Sequence, residues 1–258
     1  MNDLLAQMTQ FAGVTQSWLW VAALVFFRVG AAMFLMPAFG EYSVPPRVRL
    51  ALALAFSAIV MPAVADRMQD LPSFPIAVAV EVLAGLTIGI GMRLFILALQ
   101  MAASIVAQTT SLSQLFGGAT PEPQPAIGNL LTMASIALAL QAGLHVRAAS
   151  LLVLSYEFFP AGHFPSASDL ADWGLQRIVQ ATVLGFSLAA PFVVASVIYN
   201  LALGVINRAM PEMPVSLVGA PVLTAGVLVL MAIVVPLILV VWLEGFNAFL
   251  SNPIRLSQ

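Results

Sequence analysis

Residues 178–207 and 213–243 contain no charged side chain, and they are joined by the short polar segment Asn207-Arg208-Ala209-Met210-Pro211-Glu212. Each run is about thirty residues long, and about 20 apolar residues in a helix already cross roughly 30 Å of hydrocarbon. The rest of the chain agrees: 61% hydrophobic and 8% charged residues, with a mean hydropathy of +1.03, leave too little polar surface to cover an apolar core. The fold class that follows is all-α, a polytopic membrane protein built of helical hairpins.

The few polar residues narrow the chemistry further. All nine basic residues are arginine, they are scattered, and the formal net charge is −2, so there is no basic footprint for nucleic acid. The absence of cysteine removes disulfides, thiol catalysis and thiolate metal sites together. His145 and His163 are the only histidines, and no His-Glu-x-x-His helix is present. No aspartate falls within a candidate span, and there is no Gly-x-Ser-x-Gly elbow or phosphate-cradling glycine loop. Neither an enzyme nor a metal or other cofactor is expected.

The N-terminus lacks the basic region and small-residue cleavage site of a removable signal peptide, so the first span is expected to be retained. Charge-poor runs bounded by Pro, Gly and charged residues predict six spans, near 18–36, 50–65, 74–97, 127–147, 176–206 and 216–243. The connections are then 37–49, 66–73, a polar segment 100–128, and 145–172. Arg47, Arg49, Arg93 and Arg208 fall on one side of this scheme, whereas Asp66, Asp70, Asp169 and Asp172 fall on the other, where Arg67, Arg147 and Arg177 dilute the contrast. The positive-inside rule places both termini outside the cytoplasm. Pro191 and Pro236 are expected to bend the last two spans.

Along the third span, Glu81, Gly85, Gly89 and Arg93 recur every four residues, a helical stripe of two charges around a close-packing surface. Gln100, Ser104, Gln108 and Ser111 continue it within about 60° of Arg93 at 3.6 residues per turn. The stripe either bonds to neighbouring helices or lines an aqueous path. Lipid exposure is excluded, because a midplane charge costs ~2.5–3.5 kcal/mol on insertion scales. Arg28, inside the first span, is expected to snorkel or to pair with a carboxylate such as Glu81 or Glu244.

After this helix come Leu115-Phe116-Gly117-Gly118-Ala119-Thr120 and the run Pro121-Glu122-Pro123-Gln124-Pro125. The glycines free the backbone, Phe116 supplies apolar bulk, and the prolines stop the segment from joining the next helix. It reads either as a plug across a channel or as an ordinary connector.

Three separated stretches resemble one family. Asn200-Leu201-Ala202-Leu203-Gly204-Val205-Ile206-Asn207-Arg208-Ala209-Met210-Pro211-Glu212-Met213, continuing to Val218-Gly219-Ala220-Pro221, resembles the signature of the FliR family of flagellar export-gate proteins. Pro37, Val44-Pro45-Pro46-Arg47-Val48-Arg49-Leu50 and Pro62 are similar to that family's first loop and second span, and Glu81, Gly85 and Gly89 to the start of its polar helix. One departure is Gln108-Thr109-Thr110-Ser111-Leu112-Ser113, where relatives often carry a glycine-containing stretch.

The resemblance implies an export subunit of the bacterial inner membrane and flagellar basal body. Its partners would be FliP-like and FliQ-like subunits, a FlhB-like subunit and unfolded flagellar proteins in transit. It further implies a FliP-like unit over residues 1–170 and a FliQ-like hairpin and tail over 171–258. On the same resemblance, Phe116, Gly117, Gly118 and Ala119 are the plug. Glu81, Arg93, Gln100, Ser104 and Gln108 form the supporting stripe, and Asn200, Gly204, Asn207, Arg208, Pro211, Gly219 and Pro221 the assembly hairpin. Transport energy would come from an ATPase and the proton-motive force elsewhere in the apparatus. Assembled helices in this family sit tilted and largely lifted out of the bilayer. The competing readings are the equivalent subunit of a virulence injectisome and, from another class, a small-solute secondary transporter.

Overall fold

A computed structural model describes residues 2–68, 71–109, 126–209 and 215–253. Among the described residues every regular element is helical: α1 (Asn2–Leu35), α2 (Pro46–Val64) with a 3₁₀ turn (Ala65–Arg67), α3 (Phe74–Thr109), α4 (Ala126–Gln141), α5 (Leu144–Phe158), α6 (Ala167–Ala209) and α7 (Val215–Ser251).

Local chemistry sets several boundaries. α2 opens on Pro46, whose missing N–H is one of the donors a helix start leaves unused. Gly143 holds φ +83 between α4 and α5, a left-handed conformation that strains any residue with a Cβ. Ser166 caps α6 by accepting the amide of Asp169 at 3.1 Å. Asp169 in the first turn of α6 and Arg208 in its last complement the helix dipole.

Among the described residues five helices are long and apolar enough to cross a membrane, and the broken α4–α5 pair, taken as one span, raises the number to six. The third helix runs past its span near 97 to Thr109 and so carries Gln100, Ser104 and Gln108, as the stripe expected. Two expectations need correction. The fourth span is not continuous through 127–147, because Gly143 breaks it. The expected connection 145–172 contains all but the first residue of α5, whose Arg147, Ser150, Ser155 and Glu157 interrupt the apolar run that marks a span. α6 continues through Pro191 and α7 through Pro236.

Two compact units are interleaved in sequence. The first comprises Met1–Arg93, Gly143–Gly174 and Ala248–Gln258, the second Leu94–Ala142 and Leu175–Asn247. In the first, α1 packs against α2 and α2 against α5, over a core that includes Leu24, Val29, Met33, Val60, Val80, Met92, Leu151 and Leu152. In the second, the Trp242 indole N–H donates to the Phe95 carbonyl at 2.8 Å. Trp242 stacks on Phe246 at 5.0 Å, and Phe246 meets Phe95 edge-on at 5.4 Å, which fastens α7 to α3.

α6 and α7 have 43 and 37 residues, so at 1.5 Å per residue they are roughly 65 and 55 Å long against ~30 Å of hydrocarbon. Large apolar side chains along both, among them Leu201, Val205, Ile233 and Leu237, are exposed. Such surfaces need lipid or protein cover.

Candidate functional site

The most concentrated polar chemistry lies inside the first unit. Arg28 and Glu81 are both 0% exposed and form a forked ion pair, Nε to Oε2 at 2.6 Å and Nη2 to Oε1 at 3.0 Å. Arg28 Nη1 donates to Ser155 Oγ at 3.2 Å and Nη2 to the Phe159 carbonyl at 2.8 Å. The Tyr156 hydroxyl donates to Glu81 Oε2 at 3.2 Å, and its ring lies 3.6 Å from the guanidinium carbon. Bidentate geometry and a cation–π contact both strengthen a pair removed from water. The cluster ties α1 and α3 to the end of α5. Of the carboxylates open to Arg28 from the sequence, Glu81 is the partner, and Glu244 is exposed.

Gly85 and Gly89 explain how α1 comes so close. A Cβ on Gly85 would strike the Arg28 carbonyl oxygen and sit 2.9 Å from Ala31 Cβ. One on Gly89 would lie 2.8 Å from the Ala32 carbonyl oxygen and 2.9 Å from Leu35 Cβ. The bare glycine face of α3 lets the backbones approach until an arginine on α1 meets a glutamate on α3. Gly91, which the four-residue spacing skips, makes a second close approach, since a Cβ there would collide with Phe249 and Trp173. Trp173 is fixed in turn by its indole N–H bond to the Pro253 carbonyl at 3.0 Å.

The rest of the stripe is less uniform. Arg93 Nη1 binds the Glu41 carboxylate, with side chains 25% and 21% exposed, which anchors the α1–α2 loop to α3. Gln100 and Ser104 are half-buried and Gln108 is exposed. Ser104 returns its hydroxyl to the Met101 carbonyl at 2.8 Å. In the hairpin, Asn200 donates to Ser196 Oγ at 3.3 Å, Arg208 is exposed, and no atom lies within 4 Å of a Cβ built on Gly204. Asn207, Gly219 and Pro221 belong to α6 and α7, but their side-chain surroundings lie outside the described residues, as does Pro211. Phe116, Gly117, Gly118 and Ala119 also lie outside the described residues.

Sequence reasoning missed Ser155, Tyr156 and the Phe159 carbonyl. The available signal was a tyrosine and a serine at adjacent positions near the end of an otherwise apolar segment, the kind of polar pair a buried charge requires. It missed Gly91, Trp173 and Phe249 because no periodicity links them.

The family model of bacterial export proteins, family 1, matches residues 19–249, nearly the whole described chain. The chain belongs to the FliR family of bacterial export proteins. Flagellar biosynthetic protein FliR of Caulobacter vibrioides is 34% identical over 250 residues, 95% of this chain and 99% of that protein. The Escherichia coli FliR is 31% identical over 228 residues, 86% of this chain and 87% of its own length. The FliR of Aquifex aeolicus is 26% identical over 231 residues, covering 88% and 89%. The match to the FliR family takes in every residue of the buried cluster and of the hairpin.

Proposed function

We propose that this chain is a subunit of the flagellar type III protein export gate. With FliP-like and FliQ-like subunits it forms the channel through which unfolded flagellar proteins cross the bacterial inner membrane, within the basal body and beside a FlhB-like subunit. The observation that carries this reading is alignment over 95% of the chain with a protein named for flagellar biosynthesis. The flagellar names of the relatives favour this role over that of an injectisome subunit. Supporting it physically, α6 and α7 carry apolar surface along lengths well beyond one bilayer, which suits burial among other helices.

The role is mechanical rather than enzymatic. Residues 1–170 act as the FliP-like unit, with the buried Arg28–Glu81 cluster as its keystone, and 171–258 as the FliQ-like hairpin. The helix bearing Arg93, Gln100, Ser104 and Gln108 supports a plug at Phe116, Gly117, Gly118 and Ala119.

Co-expression with FliP-like and FliQ-like subunits, followed by mass measurement of the purified product, tests the assignment. A defined complex containing all three is the expected result, and a stable monomer that ignores both partners overturns it. The open space at Gly204 supplies a sharper variant. Gly204→Leu places bulk where a neighbouring helix would close in, and is expected to lower complex recovery roughly tenfold, equivalent to ~1.4 kcal/mol of association. Membrane insertion should be unchanged, and wild-type recovery would refute the contact. Deleting residues 116–119 is expected to leave the complex assembled but conductive to ions. An assembled, tight complex would make the segment a plain connector.

A further inference from the structure

The first helix outruns the helices it packs against. α1 has 34 residues against 19 in α2. α3 begins at Phe74, whose ring meets Trp20 edge-on at 4.2 Å. From there α1 and α3 run side by side in the same direction, through Arg28 against Glu81 and Ala32 against Gly89. Residues 2–19 continue α1 past the start of α3 for 18 residues, about 27 Å at 1.5 Å per residue. The match to the bacterial export family begins only at Leu19, so residues before it lie outside that match.

One seam runs along α1 on both sides of this point. Val25, Val29 and Ala32, spaced four and three apart, are each 0% exposed in the core of the first unit. The same alternation of four and three carries the seam back through Ala22 to Trp18, Thr15, Phe11, Met8 and Leu4. It is the spacing by which one helix packs lengthwise on another. The opposite register holds Ala6, Gln10, Gly13 and Ser17, all small or polar. Where the chain's own helices give out, the seam is open: Trp18 is 51% exposed and its neighbour Leu19 66%.

Three kinds of occupant could cover this seam, and the residues favour one. A helix that lies on a membrane surface carries Lys or Arg along its polar face, whereas residues 2–17 hold no basic residue and a single charge, Asp3. A second copy would have to pair through this seam alone. Leu4 to Trp18 makes about two heptads, short of the three or four that sustain a coiled coil. A helix already folded within another subunit needs no nucleation of its own and can extend the packing that the first unit begins. With Asp3 the only charge near the seam, the matching face is apolar and neutral.

We propose that residues 4–18 of α1 dock lengthwise on an apolar, uncharged helix of another subunit of the export complex, which takes over the seam where α3 no longer covers it. The proposal rests on the export-gate reading for the source of that subunit. Leu4, Met8, Phe11 and Trp18 are the contact positions, and Gln10 and Ser17 occupy the opposite register.

The test uses the full chain co-expressed with FliP-like and FliQ-like subunits and purified as the complex. The photo-cross-linking residue p-benzoylphenylalanine replaces Met8 or Phe11 on the seam, or Gln10 or Ser17 opposite it, and the irradiated products are identified by mass spectrometry. The seam positions should join this chain to one partner subunit, and the opposite positions should not. Met8→Gln with Phe11→Gln should lower recovery of the complex about tenfold, as expected for the loss of two buried apolar contacts. The unfolding midpoint of the chain alone in micelles should stay the same, because these positions lie outside its own core. Gln10→Ala with Ser17→Ala should change neither quantity. Absent cross-links, or equal cross-linking from both registers, would overturn the proposal and leave the export-gate reading in place. So would cross-links confined to a second copy or to phospholipid, full recovery of the Met8→Gln, Phe11→Gln complex, or a lowered midpoint in that variant. A wild-type chain that forms no complex would overturn the export-gate reading, and the seam's partner with it.

Discussion

Arg28→Leu is expected to destabilise the first unit by about 3–5 kcal/mol, because it leaves the Glu81 carboxylate buried without its cation. Tyr156 alone cannot replace a forked guanidinium, since its hydroxyl offers a single bond to Oε2. The Ser155 hydroxyl retains its bond to the Leu152 carbonyl, but the Phe159 carbonyl loses the arginine donor. Glu81→Leu should be comparably severe for the opposite reason, a buried guanidinium with no counterion. The double change, Arg28→Leu with Glu81→Leu, should be milder than either single change, since an apolar pair removes the charge problem from both sides at once. Arg28→Lys should fall between, because an ammonium cannot make the planar two-bond fork. Thermal unfolding in detergent micelles, read with limited proteolysis, measures all four. A melting temperature for Arg28→Leu equal to wild type would show that the pair contributes nothing to holding α1, α3 and α5 together.

The helices were legible wherever hydrophobic length was sufficient to mark them, as in α6 and α7, whose charge-free runs admit no other fold. α5 was not, because Arg147 and Glu157 break its apolar pattern; Glu157 pairs outward with Arg67 at 3.1 Å. That omission carried over to the buried cluster. Arg28 and Glu81 announce themselves as charges in apolar helices, but nothing local states that a serine, a tyrosine and a carbonyl 127 to 131 residues beyond Arg28 complete their bonding. The glycine spacing at Gly85 and Gly89 was readable, since repetition every four residues is itself the packing rule. Gly91 was not, because the aromatic rings that need its missing Cβ come from Trp173 and Phe249, far along the chain. Stripe residues could be named from pattern and the hairpin residues from the family resemblance, but pattern alone did not separate Arg93, which binds a loop, from Ser104, which bonds within its own helix.

Gly85→Ala is expected to be the most damaging single-methyl addition in the first unit, costing about 2–4 kcal/mol from overpacking and the consequent stretching of the buried pair. The methyl would meet the backbone carbonyl of Arg28, not the tip of a flexible side chain, so α1 and α3 must separate. Glu81 lies one turn earlier on α3, and the same separation lengthens its bonds to Arg28. Gly30→Ala is the matched control: a Cβ there has no atom within 4 Å, and alanine is the better helix former by roughly 0.5–1 kcal/mol. The first change should lower the unfolding midpoint in micelles while the second leaves it unchanged or raises it. Trimming Ala31 to glycine should not rescue Gly85→Ala, since the closest obstacle is main chain and remains in place. Rescue by Ala31→Gly would show that side-chain crowding, not backbone approach, limits the contact, and equal midpoints for Gly85→Ala and Gly30→Ala would remove the glycine face from the account of how Arg28 reaches Glu81.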